Sequence, residues 1–463
     1  MKILEKKILV LKEHNHFYYS GCRQQYLKGI YDWQDHFAVP KSFLFRNNEN
    51  AVCFKVSADV KENQINFLQF ETSYYIGLQY VPEWDIPVLV EPKMNNDSHQ
   101  LNFIKILTEA LQEPENFNHL DGLIEVDFNS EWIEVPSKHR VELTPFLIIQ
   151  FLMAVKQIVR KGLKKSYYQK TENLRSRVKG KILVGQQLKQ NVFKHRLTYT
   201  VCSFQEFGID TEENRFLKYV LQVIYSYAGS LEPVLKAQVL ELVQYNLAAF
   251  QQVNSQKFTS YNKVESNPFY KVYNNAFGLG NQILKLISHS YGSVNGDNKK
   301  HPPHWIDMSK LFELYVFKKL RERFTGAGEV KYHEKKHYQE LDFIINEKKE
   351  NGIKAVVDAK YKPRYKNGNP TKEDARQLSG YSRLNSVYEE LGIADDQIIP
   401  VYFIYPKGLG EILDSDEQYA EEIDSDLKNF DKAVLPSSVA KVKAYRKMYM
   451  QEVPLEILSS VNP

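Results

Sequence analysis

The sequence is poor in cysteine. Its 463 residues contain three, Cys22, Cys53 and Cys202, far apart and never in a CxxC pair. That excludes a disulfide framework and a cysteine-built zinc site, and it suits a soluble protein of a reducing, cytoplasmic compartment. Long apolar runs are missing too. The longest, residues 146–155, is about half a membrane span and holds Gln150, so no membrane partnership is expected. The opening MKILEKKILVLKEH puts charges inside any would-be apolar segment, and a secretory leader is not expected either. No GxxxxGK(S/T) occurs, hence no P-loop, and Gly278-Leu279-Gly280 is a lone GxG without the rest of a dinucleotide fingerprint. Nor is there a large charge of one sign: 61 Lys and Arg face 57 Asp and Glu, a net charge of +4.

What is present is ordinary for a globular chain, 43% apolar and 25% charged, with a tyrosine-heavy aromatic set. The small net charge hides a polarised distribution. Residues 151–200 hold thirteen Lys and Arg against Glu172 alone, a local +12 that leaves −8 for the remainder. Part of that −8 lies in 411–431, where nine acids face Lys428. The basic stretch opens at Thr144-Pro145, a cap followed by a helix-favoured proline, and cations gather where the helix dipole favours them. Beyond it, NLRSRVKGKILVGQQLKQ stays basic, broken by Gly180 and Gly185. Two readings stand: a solvated face, or a surface for phosphates or an acidic partner. The candidate DNA- or partner-binding residues are Lys164, Lys165, Arg175, Arg177, Lys179 and Lys181.

The chain reads as multidomain α/β. Residues 1–140 are β-rich, with short β-prone runs such as YYIGLQYV and IPVLVEPK between polar turns. Residues 141–291 are mostly helical, with 3.6-residue apolar spacing at 144–165, 212–228, 231–252 and 270–288. GSVNGDNKKHPPH, 292–304, has linker composition, and 305–463 shows an α/β alternation.

His333-Glu334-Lys335-Lys336-His337 matches HExxH, yet it sits among Lys and Tyr and runs into a strand. A zinc-protease helix needs apolar packing there, so a polar strand or loop is expected instead. The next segment carries chemistry. QELDFIIN and IKAVVDAKYKP read as two strands around EKKENG, and Asp358 and Lys360, two apart, share a face. A three-residue loop, Glu350-Asn351-Gly352, would pair Asp342 with Lys360, put both acids and the lysine together, and place Gly352 in the left-handed position. A two-residue turn would put Asp342 on the wrong face. An odd-length loop or a bulge is therefore expected.

Two helices frame this hairpin. Asp307 can cap the first, with Ile306 and Leu311 as a staple, and Glu313 shares its apolar face with Val316, Phe317 and Leu320. On the second, Asp374, Gln377 and Tyr381 fall on one face. Singly, each is more often structural; the ordered set is harder to dismiss.

The order Glu313, Asp342, Asp358-Ala359-Lys360, Gln377-x3-Tyr381 resembles the PD-(D/E)xK nuclease superfamily in its version with a QxxxY helix, with Leu341 in place of the usual proline and Asp358 where Glu is frequent. Residues 173–191, FQEFGIDTEENRFLKYVL, KLFELYVFKKL and VVDAKYK, and more loosely YIGLQYVPEWDIPVLVEPKM, are similar to the McrC nuclease subunits of McrBC-type modification-dependent restriction systems. The resemblance implies a C-terminal restriction-endonuclease-like domain in a DNA endonuclease. It implies Mg²⁺ (with Mn²⁺ as a substitute) on Asp342, Asp358, Glu313 and the Ala359 carbonyl, with Lys360 at the attacking water and Gln377 and Tyr381 in support. It also implies double-stranded DNA as substrate and a separate McrB-like AAA+ GTPase that reads modified cytosine and whose hydrolysis this chain stimulates. The missing P-loop fits that division. A non-catalytic activator of an AAA+ ring, or a stand-alone defence or repair nuclease, are the competing classes.

Overall fold

A computed structural model describes the chain except residues 1–7, 21–40, 48–49, 62–63, 96–98, 137–142, 232, 263–266, 268–269, 293–297, 337–338, 363–368, 408–422, 425–432, 456 and 460–463. His337 and all of the acidic run but 423–424 thus lie outside the described residues. The fold is mixed α/β with several sheets, and the chain divides into two compact units. One joins residues 1–140 to 297–463; the other is 141–296.

In the first unit, a five-stranded sheet has the order Leu9–Lys12, Ile86–Glu91, Tyr75–Val81, His304–Asp307, Ile124–Val126. The expectation of a linker at 292–304 and a new domain from 305 is corrected here. Asn298–His301 pairs with Ile133–Pro136, and His304–Asp307 enters the sheet between Tyr75–Val81 and Ile124–Val126. The Gly/Asn/Pro composition masked the HWID run, which is buried and so must pair its backbone groups. Gly77 makes this crossing possible, since a Cβ there would lie 2.0 Å from the His304 carbonyl oxygen. Trp305 stacks on Phe45 and Phe54 at 5.3 and 5.5 Å in a core shared with the four-stranded antiparallel sheet of His16–Ser20, Gln64–Thr72, Val52–Lys61 and Lys41–Arg46. Trp305→Ala is expected to cost about 3–5 kcal/mol, read as a lowered denaturation midpoint. A loss under about 1 kcal/mol would mean that the strand is not an integral part of that core.

The same unit holds a seven-stranded sheet in the order Val330–Lys336, Gln339–Asn346, Lys354–Ala359, Val401–Pro406, Met448–Val453, Val439–Val442, Ile423–Asp424. Its middle strands run parallel and are buried along nearly their whole length, as VVDA and VYFIYP require. The helices Met308–Arg323 and Lys372–Tyr381 pack against Lys354–Ala359.

The second unit contains the helices Thr144–Lys161, Glu212–Tyr227, Pro233–Ala249 and Lys271–Gly292, near the expected spans. The first starts one residue early: Leu143, not Thr144, is its cap residue, and no side chain caps it. The long hairpin Ser166–Arg175/Tyr199–Gly208 was not expected. Its first strand is polar on both faces, so it shows no apolar alternation.

Candidate active site

The chemistry-bearing residues meet where the 339–346 and 354–359 strands separate. The register pairs Phe343 with Val357 and Asn346 with Lys354, which sets Asp342 across from Asp358 one step on. Here the expected hairpin needs correcting. The parity is right and both acids and Lys360 share a face, but the connection spans 347–353 rather than three residues, and Asp342 lies opposite Asp358 instead of Lys360. Asn351 takes the left-handed conformation at φ 60°, not Gly352. Gly352 is needed for a different reason: a Cβ would lie 2.5 Å from the Glu347 carbonyl oxygen. Glu347 holds the wider loop through its side chain, accepting from Ile353 N–H at 2.9 Å, a bond with no local sequence signature.

Beyond Phe343/Val357 the Asp342 carboxylate accepts the Ala359 N–H at 2.8 Å, so a side chain replaces the ladder bond and fixes the acid at the strand end. Asp358 is buried, and Lys360 Nζ stands 3.0 Å from its Oδ2. Oδ2 is engaged by this ion pair and accepts no further hydrogen bond. Burial raises the Asp342 pKa well above the usual carboxylate range, helped by the charges of Asp358 and Glu313. Burial also raises that of Asp358, against the pull of Lys360. For Lys360, burial works against the charged form, but Asp358 and Asp342 outweigh it and hold the ammonium charged.

The 372–381 helix starts at Thr371, whose hydroxyl accepts from Asp374 N–H at 3.3 Å. It presents Gln377, which accepts from Lys360 Nζ at 3.1 Å and donates to Tyr381 Oη at 2.6 Å. The structure therefore brings Lys360, Gln377 and Tyr381 into one chain of contacts. Asp307 caps the 308–323 helix as expected, accepting from Lys310 N–H at 3.0 Å. Glu313 faces the site and accepts from Tyr332 Oη at 3.2 Å, with His333 Nε2 at 2.9 Å.

Several neighbours escaped the sequence reading. The 330–336 strand is the polar strand expected for the HExxH letters, and His333 sits in it at φ 54°. Its ring lies between Glu313 and Glu340, 3.1 Å from the latter, so this histidine holds an acid of the site. Lys362 pairs with buried Asp374 at 2.9 Å, and Tyr405 donates to the other carboxylate oxygen at 3.0 Å. The DAKYK alternation was a usable signal for Lys362. Behind them, Glu13 and Lys93 hold Tyr361 across 348 and 268 residues of sequence, which no local pattern reveals.

Of the basic candidates, Lys164 is corrected. Its ammonium pairs with buried Glu213 at 3.0 Å and is 12% exposed, so it serves the interior of its own unit. Lys165, Arg175, Arg177, Lys179 and Lys181 are exposed. They accompany apolar side chains in water: Val178, Val184, Phe193 and Leu197 are 60, 66, 73 and 78% exposed. Buried Asn191 holds this tip rigid, exchanging amide bonds with Asn173 at 2.9 and 2.8 Å, while Gln187 accepts from Val201 N–H.

Among the described residues, no three His, Cys, Asp or Glu side chains are arranged to hold a metal ion, and no helix is long and apolar enough to cross a membrane. No curated protein matches the sequence. Among solved structures, the chain is similar to one described as a refined half-complex from the tetradecameric assembly of Thermococcus gammatolerans McrB AAA+ hexamers with bound McrC. The identity is 15% and the TM-score 0.36, over 97% of this chain and 94% of that one. A cryo-EM structure of the Thermococcus gammatolerans McrBC complex matches at 16% identity and a TM-score of 0.27, over 71% of this chain and 90% of that one. The family model described as "McrBC 5-methylcytosine restriction system component" matches residues 70–391. With that match spanning well over half of its length, the chain belongs to the McrBC 5-methylcytosine restriction system component family.

Proposed function

We propose that this chain is the Mg²⁺-dependent DNA endonuclease subunit of an McrBC-like system, with a PD-(D/E)xK-type site in its 305–463 region. It cleaves DNA bearing modified cytosine together with an AAA+ GTPase whose hydrolysis it stimulates. The observation that carries the reading is the meeting of Asp342, Asp358 and Lys360 at one strand end, framed by Gln377 and Glu313.

The residues fit a hard divalent cation. Two carboxylates crowd together, and the buried Asp358 Oδ2 accepts no hydrogen bond beyond its Lys360 ion pair; oxygen donors of this kind suit Mg²⁺, or Mn²⁺ in its place. Asp342, Asp358 and the Ala359 carbonyl would hold it. Glu313, already engaged by Tyr332 and His333, fits a water-bridged role better than a direct one. Bound there, the cation supplies charge neutralisation at the scissile phosphate and acidifies water near neutral pH. Lys360 keeps its ammonium beside Asp358, where it orients the attacking water and stabilises charge developing on phosphate. Gln377 and Tyr381 fix the lysine's reach.

Because burial raises both carboxylate pKa values, ionising them on cation binding is expected to release protons. Mg²⁺ affinity, measured by calorimetry in buffers of differing ionisation enthalpy, should fall as pH is lowered, beginning above the ordinary carboxylate range. An affinity flat down to that range, or unchanged in Asp358→Ala, would remove the assignment.

The exposed 175–197 tip is the proposed partner face. A rigid surface that mixes apolar side chains with cations suits a protein better than a phosphate backbone alone.

A further inference from the structure

The strands Leu9–Lys12 and Ile86–Glu91 run parallel and end side by side, and Glu13 N–H bonds to the Glu91 carbonyl at 2.9 Å. The next turns aim Glu13 and Lys93 at Tyr361, the residue after Lys360. Both are buried, Glu13 fully and Lys93 to 5% exposure. Glu13 Oε1 accepts from Tyr361 Oη at 2.8 Å and from Lys93 N–H at 3.0 Å. Lys93 Nζ donates to the Tyr361 carbonyl at 2.6 Å and lies 3.8 Å from the centre of the Tyr361 ring and 4.8 Å from that of Tyr74. Tyr361 is thus held at its hydroxyl, its ring face and its carbonyl by two side chains from the N-terminal sheet.

Stability alone does not account for this arrangement. Among the described residues no carboxylate lies within ion-pair distance of Lys93 Nζ, and Glu13 Oε2 is buried without a hydrogen bond. Burial pushes Glu13 up to about 7 and Lys93 down to about 8, so both charged forms are disfavoured. Apolar residues of similar volume would fill the space at lower cost. What the lysine does that a methionine cannot is grip a backbone carbonyl. That carbonyl follows Lys360, whose own N–H bonds to the Ile404 carbonyl at 2.9 Å. Lys360 is therefore anchored at its N–H by the central sheet and just beyond it by Lys93.

We infer that Lys93, seated by Glu13, is a positioning residue that sets where Lys360 and Lys362 leave the 354–359 strand, so that the N-terminal sheet controls the geometry of the cleavage site. The inference rests on the nuclease reading above. The test uses the full chain in complex with its AAA+ partner, with Mg²⁺ and modified DNA. Lys93→Met should lower kcat for cleavage about 10- to 100-fold, as loss of a group orienting a site residue does, with KM for DNA and GTPase stimulation within about twofold. The neutral pair Glu13→Gln/Lys93→Met should regain wild-type thermal stability yet keep the low kcat. A double variant whose kcat recovers together with its stability, or a Lys93→Met that cleaves at the wild-type rate, overturns the positioning role. Asp358→Ala runs alongside. If it is inactive while Lys93→Met is normal, only this inference falls; if it cleaves, the nuclease reading itself falls.

Discussion

Asp358→Ala is expected to abolish DNA cleavage, by at least about 10³-fold or ~4 kcal/mol on the barrier, while partner binding and GTPase stimulation should stay within about twofold. Asp358 combines burial, a raised pKa, a 3.0 Å ion pair with Lys360 and an oxygen with no further hydrogen bond. On the proposed reading, such a carboxylate gives up favourable hydration to serve as a ligand. The linkage sign gives an independent check. A carboxyl whose folded pKa lies above its unfolded value contributes stability at low pH and loses it as pH rises. As pH rises and Asp358 ionises, its charge therefore works against the fold, and Asp358→Asn should show a melting temperature equal to or above wild type on the alkaline side, with the difference vanishing toward acid. Cleavage by purified Asp358→Ala complex on modified DNA, with the Asp358→Asn melting series beside it, reads both effects. Retained cleavage would sink the assignment.

Phe193→Asp with Leu197→Asp is expected to sever the other half of the proposed activity. These side chains are 73 and 78% exposed on a tip that Asn191 and Gln187 keep in shape. A hot-spot anchor carries about 2 kcal/mol or more, so the loss of even one of the two should lower partner affinity at least about 30-fold, and GTPase stimulation with it. The fold should hold, since neither residue contributes to the interior, and Mg²⁺ binding at Asp342 and Asp358 should be unaltered. Reversing the charges of Lys165, Arg175, Arg177, Lys179 and Lys181 separates the two readings of the basic segment. On a protein face it slows association; on a DNA face it reduces the salt dependence of DNA binding. Undiminished GTPase stimulation by the double aspartate variant would move the partner face elsewhere.

The two substitutions are complementary, one removing chemistry and the other coupling. A non-catalytic activator would be insensitive to the first, and a stand-alone nuclease to the second.

Much of the site was legible in the chain because its parts are local. Asp358 and Lys360 share a face by the two-residue period of a strand, Gln377 and Tyr381 by the helical one, and Asp307 announces its helix by capping. The hairpin parity also followed from requiring the acids to face one way. Its register did not, because the wider 347–353 loop is closed by a Glu347 side-chain bond rather than by turn residues. Lys164 misled because a cation in a basic run gives no sign of a buried glutamate 49 residues away.

The sequence by itself determined the candidate site groups, the lack of a P-loop motif and the family resemblance, since each rests on residue type and short spacing. Tertiary structure decided which residues close the sheets and what holds the site. His304–Asp307 becomes an inner strand of the N-terminal sheet instead of part of a linker, and Glu13 and Lys93 reach Tyr361. The physical reason is common to both. A buried backbone group or charge must find its partner in space, and the distance along the chain to that partner leaves no trace in local composition.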